Sequence, residues 1–180
     1  NPARITDIEQ ACTGADVLIA LSKPGPDTVK PAWIQKMASK AIVFACANPV
    51  PEIYPYAAKA AGAYIVATGR GDFPNQVNNS IGFPGILKGA LLVRARKITD
   101  EMAITAAYSI ADFAQKKGIH PEYIMPTMSE TEVFAEVAAD VAMTAIKNGV
   151  ARITPDRKTV YTQTLKDITD SRAPIDRLTN

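Results

Sequence analysis

Three short stretches hold the residue types that could do chemistry here: "SKPG" (22–25), "NPVPE" (48–52) and "GRGDFPNQVNN" (69–79). Each follows an apolar run and opens on a small or amide residue, with proline or glycine shaping the backbone. Asn48 precedes Pro49, so its backbone is driven towards an extended conformation and its side chain is aimed by a stiff turn. An amide there donates and accepts at once, which suits a ribose hydroxyl or a carboxamide. The competing reading is an Asx-turn in which Asn48 satisfies its own backbone. Asn78 and Asn79 stand before an apolar helical run, where an N-cap is expected and where a helix N-terminus favours anions. One can cap the helix while the other faces a carboxylate or a nicotinamide. Capping does not account for Asn75, Gln76 and the Gly69/Gly71 pair upstream.

Several signals are discounted. The "RGD" at Arg70–Asp72 and the "NNS" at Asn78–Ser80 carry meaning only in a secreted protein, and Asp72 is read as a loop brace. His120, the only histidine, has no cysteine or carboxylate cluster beside it. Met125 and Met128 read as core filler. There is no G-x-G-x-x-G turn, Walker A loop, G-x-S-x-G or H-E-x-x-H. A dinucleotide site that takes its pyrophosphate contacts from a first βα turn would have to find them elsewhere.

The elements that must position these loops follow from the apolar pattern. "DVLIALS" (16–22), "AIVFACA" (41–47) and "AYIVATG" (63–69) are continuous β-rich runs, as expected of parallel strands covered on both faces. Helices starting at Pro31 and Pro55 separate them, the second closed by Gly62. After the third loop the period becomes helical. Helices are expected over 85–97, over 100–117 with Thr99 as N-cap and Gly118 as stop, and over the "SETEVFAEVAADVAMTAIKNG" segment, where Ser129 and Glu132 spell a capping box. The second of these should bury Ala103, Ala106, Ala107, Ile110, Ala111 and Ala114. A last helix is expected near 159–169. The fold class is therefore α/β: about three strands forming the second half of a Rossmann-like doubly wound parallel sheet, then an Ala-rich helical layer. Residues 1–70 supply the β/α units and 71–180 the active-site loop and helices. Three open strands bury both faces poorly, so a first half of the sheet is expected from upstream or from another chain.

Composition narrows the class. The formal charge of +2 and the lack of long basic runs exclude a nucleic-acid binder, and Arg94, Arg96 and Lys97 read as a solvated helix end. Cys12 and Cys46 form neither a C-x-x-C pair nor a secreted framework, which favours a reducing compartment and the cytoplasm. No apolar run approaches the ~20 residues a membrane span needs.

"GADVLIALSKPG", "FACANPVPEIYP" and "ATGRGDFPNQVNNSIGFPGILKGAL", in that order, with "SETEVFAEVAADVAMTAIKNGVAR" beyond them, resemble the C-terminal part of the NAD(P)-binding domain of bacterial and archaeal malic enzymes, over residues 10–153. The resemblance implies oxidation of malate by NAD or NADP and decarboxylation to pyruvate and carbon dioxide, assisted by Mg or Mn. It implies that Asn48, Ser22, Pro24, Gly25 and Asn78 contact the cofactor, and that Asn79, with Asn78, contacts malate. The family's tyrosine and lysine acid/base pair, its metal-binding carboxylates and its glycine-rich turn lie upstream of the matched region, so no catalytic residue or metal ligand is assigned here. The expected partners are an N-terminal portion of the same enzyme and further copies in a dimer or tetramer, with no nucleic acid and no membrane. The rival is a non-catalytic nucleotide-binding or assembly module on the same fold.

Overall fold

A computed structural model describes residues 5–179, with side chains through Arg172. The chain divides into two compact units: one reaches to Asn78 and takes back Ile119–Ile124, and the other comprises Asn79–Gly118 and Met125 onwards.

In the first unit, β1 (Val17–Ala20), β2 (Ile42–Ala45) and β3 (Ile65–Thr68) form one parallel sheet in the order β1-β2-β3. Val17 aligns with Ile42 and Ile65, and Ala20 with Ala45 and Thr68, so all three strands end level. Short helices α1 (Ile8–Cys12), α2 (Pro31–Ile34) and α3 (Pro55–Ala60) connect them. Both prolines stand at the first helical position, where the missing N–H has no intrahelical partner to lose. One sheet face is sealed: Val43, Ala45 and Val66 pack with Cys12, Ile34, Ile53 and Ala58. The opposite face is not. On β1 and the residue after it, Val17, Ile19 and Leu21 are 47%, 61% and 78% exposed, the incomplete burial that three open strands lead one to expect.

The second unit is helical: α4 (Asn79–Leu92), α5 (Asp100–Lys117), α6 (Glu132–Lys147) and α7 (Arg157–Thr179). Its core centres on α6, where Val133, Val137, Ala138, Val141, Ala142 and Ala145 are fully buried. Gly85 and Gly89, one turn apart on α4, let that helix press onto the α6 backbone: a methyl built on Gly89 would lie 2.4 Å from the Ala138 carbonyl oxygen.

Five expectations need correction. α4 spans Asn79–Leu92 rather than 85–97: it begins where Asn78 and Asn79 marked a helix start and runs through Pro84. Ile81, buried in the α6 core, anchors the turn before the proline, and that packing outweighs the lost backbone hydrogen bond. It ends at Leu92 because Arg94 turns left-handed (φ 49°) and the Ala95 amide bonds back to the Ala90 carbonyl, a Schellman closure without glycine. The Ser129–Glu132 capping box does not form. Thr131 precedes α6 in a helical conformation without a side-chain cap, and the turn is tied one residue earlier, by Glu130 accepting from the Thr127 amide at 2.6 Å. On α5 the caps stand as read, with Thr99 accepting from Met102 and Gly118 as stop, but the buried face is Met102, Ala106, Ser109, Ile110 and Ala114. Ala103, Ala107 and Ala111 are exposed. α7 is longer than expected. Met125 packs on the helical core, whereas Met128 is 38% exposed and is not core filler.

Candidate functional site

Because the strands end level, the loops that follow them start at one edge of the sheet. Their first residues are joined by a side chain absent from the sequence reading. Glu52, fully buried, accepts from the Ser22 amide at 2.7 Å, the Ser22 hydroxyl at 3.1 Å and the Ala47 amide at 2.9 Å. It thereby bridges the residue that opens the β1 loop and the residue before Asn48. The only sequence signal was a carboxylate inside the otherwise apolar "NPVPEI", four residues after Asn48.

Asn48 is exposed, its bond to Pro49 is cis, and its amide lies directly over Gly69. A methyl on Gly69 would stand 3.1 Å from Asn48 Oδ1 and 3.3 Å from Nδ2, so glycine permits this approach of the β2 and β3 loops. The Asn78 amide nitrogen donates to the Gly69 carbonyl at 2.8 Å. Ser22 and Pro24 are exposed, and Gly25 holds a φ of 139° that L side chains rarely adopt. The first unit thus brings Ser22, Pro24, Gly25, Asn48 and Asn78 onto connected loops. Asn79 is exposed as the first residue of α4 and belongs to the second unit.

The remaining polar residues of the third loop are structural. Asn75 is buried in a left-handed conformation (φ 57°), which asparagine tolerates better than most residues. Its amide nitrogen donates to the Val66 carbonyl at 3.0 Å and the Pro121 carbonyl at 2.8 Å, while its oxygen accepts from the Ile124 amide at 2.8 Å. That trio ties the 119–124 segment to the sheet unit. Gln76 covers Gly71 as Asn48 covers Gly69. Arg70 grips Asp72 through two bonds of 2.8 and 2.7 Å and donates to the Pro49 carbonyl at 3.2 Å. Its guanidinium also stands 5.6 Å from the Phe73 ring centroid. Asp72 is therefore the brace the sequence suggested, and the bond from Arg70 holds its carboxyl below the ordinary carboxylate range.

Burial, and secondarily the charge of Glu52, push the Cys46 thiol up, which keeps it protonated and weakly nucleophilic. His120 makes a turn, its Nδ1 accepting from the Glu122 amide at 3.3 Å. Among the described residues no three His, Cys, Asp or Glu side chains converge as a metal site, and no helix is long and apolar enough to cross a membrane.

A parallel sheet whose strand-end loops offer amides, a hydroxyl and exposed glycine backbone, with polar side chains held from beneath, belongs to the Rossmann-like nucleotide-binding class. Residues 6–147 match the family described as "Malic enzyme, NAD binding domain", and the chain belongs to that family. It is 45% identical over 159 residues to the bifunctional malic/malolactic enzyme of Bacillus subtilis, covering 88% of this chain and 38% of that protein. The crystal structure of Entamoeba histolytica malic enzyme superposes with a TM-score of 0.95 at 62% identity, over 99% of this chain and 37% of that one. Pyrococcus horikoshii malic enzyme gives 0.86 at 48% identity, over 96% and 40%. The chain thus spans well under half the length of these relatives. Both NAD-dependent and NADP-dependent malic enzymes stand among the relatives.

Proposed function

We propose that this chain supplies the cofactor-facing and substrate-facing loops of a malic enzyme, which converts malate to pyruvate and carbon dioxide with NAD or NADP, and that it works together with an N-terminal portion of the same enzyme. The observation that carries this reading is the tying of the three strand-end loops to one another, through Glu52, the Asn48–Gly69 contact and the Arg70–Pro49 bond. A ligand meeting one loop meets a surface shaped by all three.

The residues present suit a dinucleotide. Ser22 and Asn48 offer hydrogen-bonding groups of the kind a ribose or a carboxamide uses, and the half-buried Gly25 offers its backbone. When bound, the nicotinamide supplies the hydride acceptor. Asn48 would hold the nicotinamide side, Ser22, Pro24 and Gly25 would line the dinucleotide, and Asn78 would support the cofactor from the third loop. Asn79 would hold a malate carboxylate, aided by its place at the positive end of α4. Mg or Mn does not fit the described residues, so its ligands and the proton-transfer pair would come from the N-terminal portion. The exposed Val17, Ile19 and Leu21 offer that portion an apolar face and β1 an open strand edge on which a first half of the sheet could continue. We further propose a cytoplasmic homo-oligomer.

The test is malate-dependent NADH or NADPH formation by the chain alone and with the N-terminal portion. Activity only in the combination is expected, with Asn79→Ala losing about 1–3 kcal/mol of substrate or transition-state binding. Full turnover by the chain alone would sink the proposal, and NAD binding without turnover in the combination would favour the non-catalytic module.

A further inference from the structure

We propose that Glu52 is a positioning residue of the dinucleotide site: it clamps the loops after β1 and β2 together and fixes the exposed Ser22 hydroxyl as a hydrogen-bond acceptor for a ribose hydroxyl. This rests on the dinucleotide reading of the loops.

Three observations converge on it. The carboxylate is fully buried, and among the described residues no lysine or arginine forms an ion pair with it. Burying a charge without a counter-ion is a poor route to stability, since an apolar side chain of the same volume would commonly serve as well or better. What an apolar side chain cannot do is collect three donors from two loops. Glu52 does this with the Ser22 amide and hydroxyl on Oε1 and the Ala47 amide on Oε2, and Asn48 follows Ala47 directly. The clamp therefore sets the spacing between Ser22 and Asn48.

The direction of the hydroxyl bond has chemical content. A serine hydroxyl has one proton, and Ser22 donates it to Glu52. Its lone pairs are what remain for a ligand, so Ser22 can only accept. A sugar hydroxyl or a carboxamide N–H2 satisfies it. A phosphate oxygen does not, and the negative charge behind Ser22 disfavours phosphate further. The Ser22 hydroxyl is thereby specified for the ribose part of a dinucleotide and against its pyrophosphate.

The experiment is a fluorescence titration of the chain combined with the N-terminal portion, wild-type, Glu52→Gln and Ser22→Ala, with NADH and with NADH analogues deoxygenated on a ribose. The wild-type protein is expected to prefer NADH by about tenfold over the analogue lacking the relevant hydroxyl. The preference should collapse towards unity in both variants, because the amide introduced by Glu52→Gln would have one oxygen to offer two loops. Mere loosening of the fold would weaken both ligands equally and leave the ratio intact, so an unchanged ratio in Glu52→Gln overturns the proposal. Should that variant not fold, an unchanged ratio in Ser22→Ala, an exposed position, overturns it alone. If the wild-type combination binds neither ligand, the dinucleotide reading fails and amide hydrogen exchange judges the clamp. Faster exchange at Ser22 and Ala47 in Glu52→Gln retains it, and equal exchange rejects it.

Discussion

Gly89→Ala puts the helical unit to the sharpest test. The added methyl would lie 2.4 Å from the Ala138 carbonyl oxygen, 3.1 Å from its carbonyl carbon and 3.2 Å from its Cα. Ordinary contact begins near 3.4 Å, so α4 and α6 must part by about 1 Å, a gap that forfeits a quarter to a half of each dispersion contact along the seam. The obstacle is backbone at the fully buried Ala138 and cannot rotate away. Overpacking of this kind costs about 3 kcal/mol, and the better helix propensity of alanine returns about 1 kcal/mol. The net loss of about 2 kcal/mol corresponds to a fall in Tm of about 4–8 °C for a chain of this size. Gly82→Ala is the internal control. It makes the same exchange in the same helix, but its methyl would meet nothing nearer than Ile86 Cδ1 at 3.9 Å. It should be neutral or stabilising by up to about 1 kcal/mol. Thermal and urea unfolding followed by circular dichroism at 222 nm measure both. Equal stability of the two variants would refute the close approach of α4 to α6.

Two further predictions concern charges on the helical unit. Arg157 bonds Glu136 at 2.5 Å and Asp140 at 2.8 Å, and Ser109 donates to the same Asp140 at 2.6 Å, so Arg157→Ala unpins α7 from α6. The arginine is half exposed, so the loss in urea unfolding should be about 1 kcal/mol at low salt and smaller at 1 M salt; a loss indifferent to salt would contradict the ion-pair account. Asp167 is held below the ordinary carboxylate range, chiefly by its bond from Lys88 and then by that from Gln163. A depressed folded pKa adds stability above the unfolded value, near 4, and loses it as pH falls through the folded value. Asp167→Asn should therefore be less stable than wild type at neutral pH, with the difference closing between about pH 4 and 2 in an acid titration; a constant difference would count against the linkage.

How much was legible in the sequence can be judged residue by residue. The three strands were, because four or more β-rich apolar residues between turn signals have few alternatives in water. The ends of α5 were, because Thr99 and Gly118 act on groups three or four residues away. The candidate loops were placed by the same logic, since they are whatever follows the strands. The buried face of α5 was not: helical periodicity gives the angle between side chains but not the direction of the partner helix, so Ala103, Ala107 and Ala111 read as core and lie in solvent. Asn78 and Asn79 marked the start of α4, but its unbroken run through Pro84 was hidden, because the local penalty of the proline is overruled by the burial of Ile81 against the α6 core.

By itself, then, the sequence determined the α/β order, the strand-end loops and the family, all of which rest on short-range pattern. The tertiary structure decided which polar residues brace the loops. Asn75 braces because its partners, Pro121 and Ile124, lie more than forty residues onward. Glu52 clamps because Ser22, thirty residues back, and Ala47 both turn their amides towards it. Asn48 stands above Gly69 because the register of β2 and β3 puts the two loops side by side. A hydrogen bond forms where chain folding brings donor to acceptor, and no local pattern carries that information.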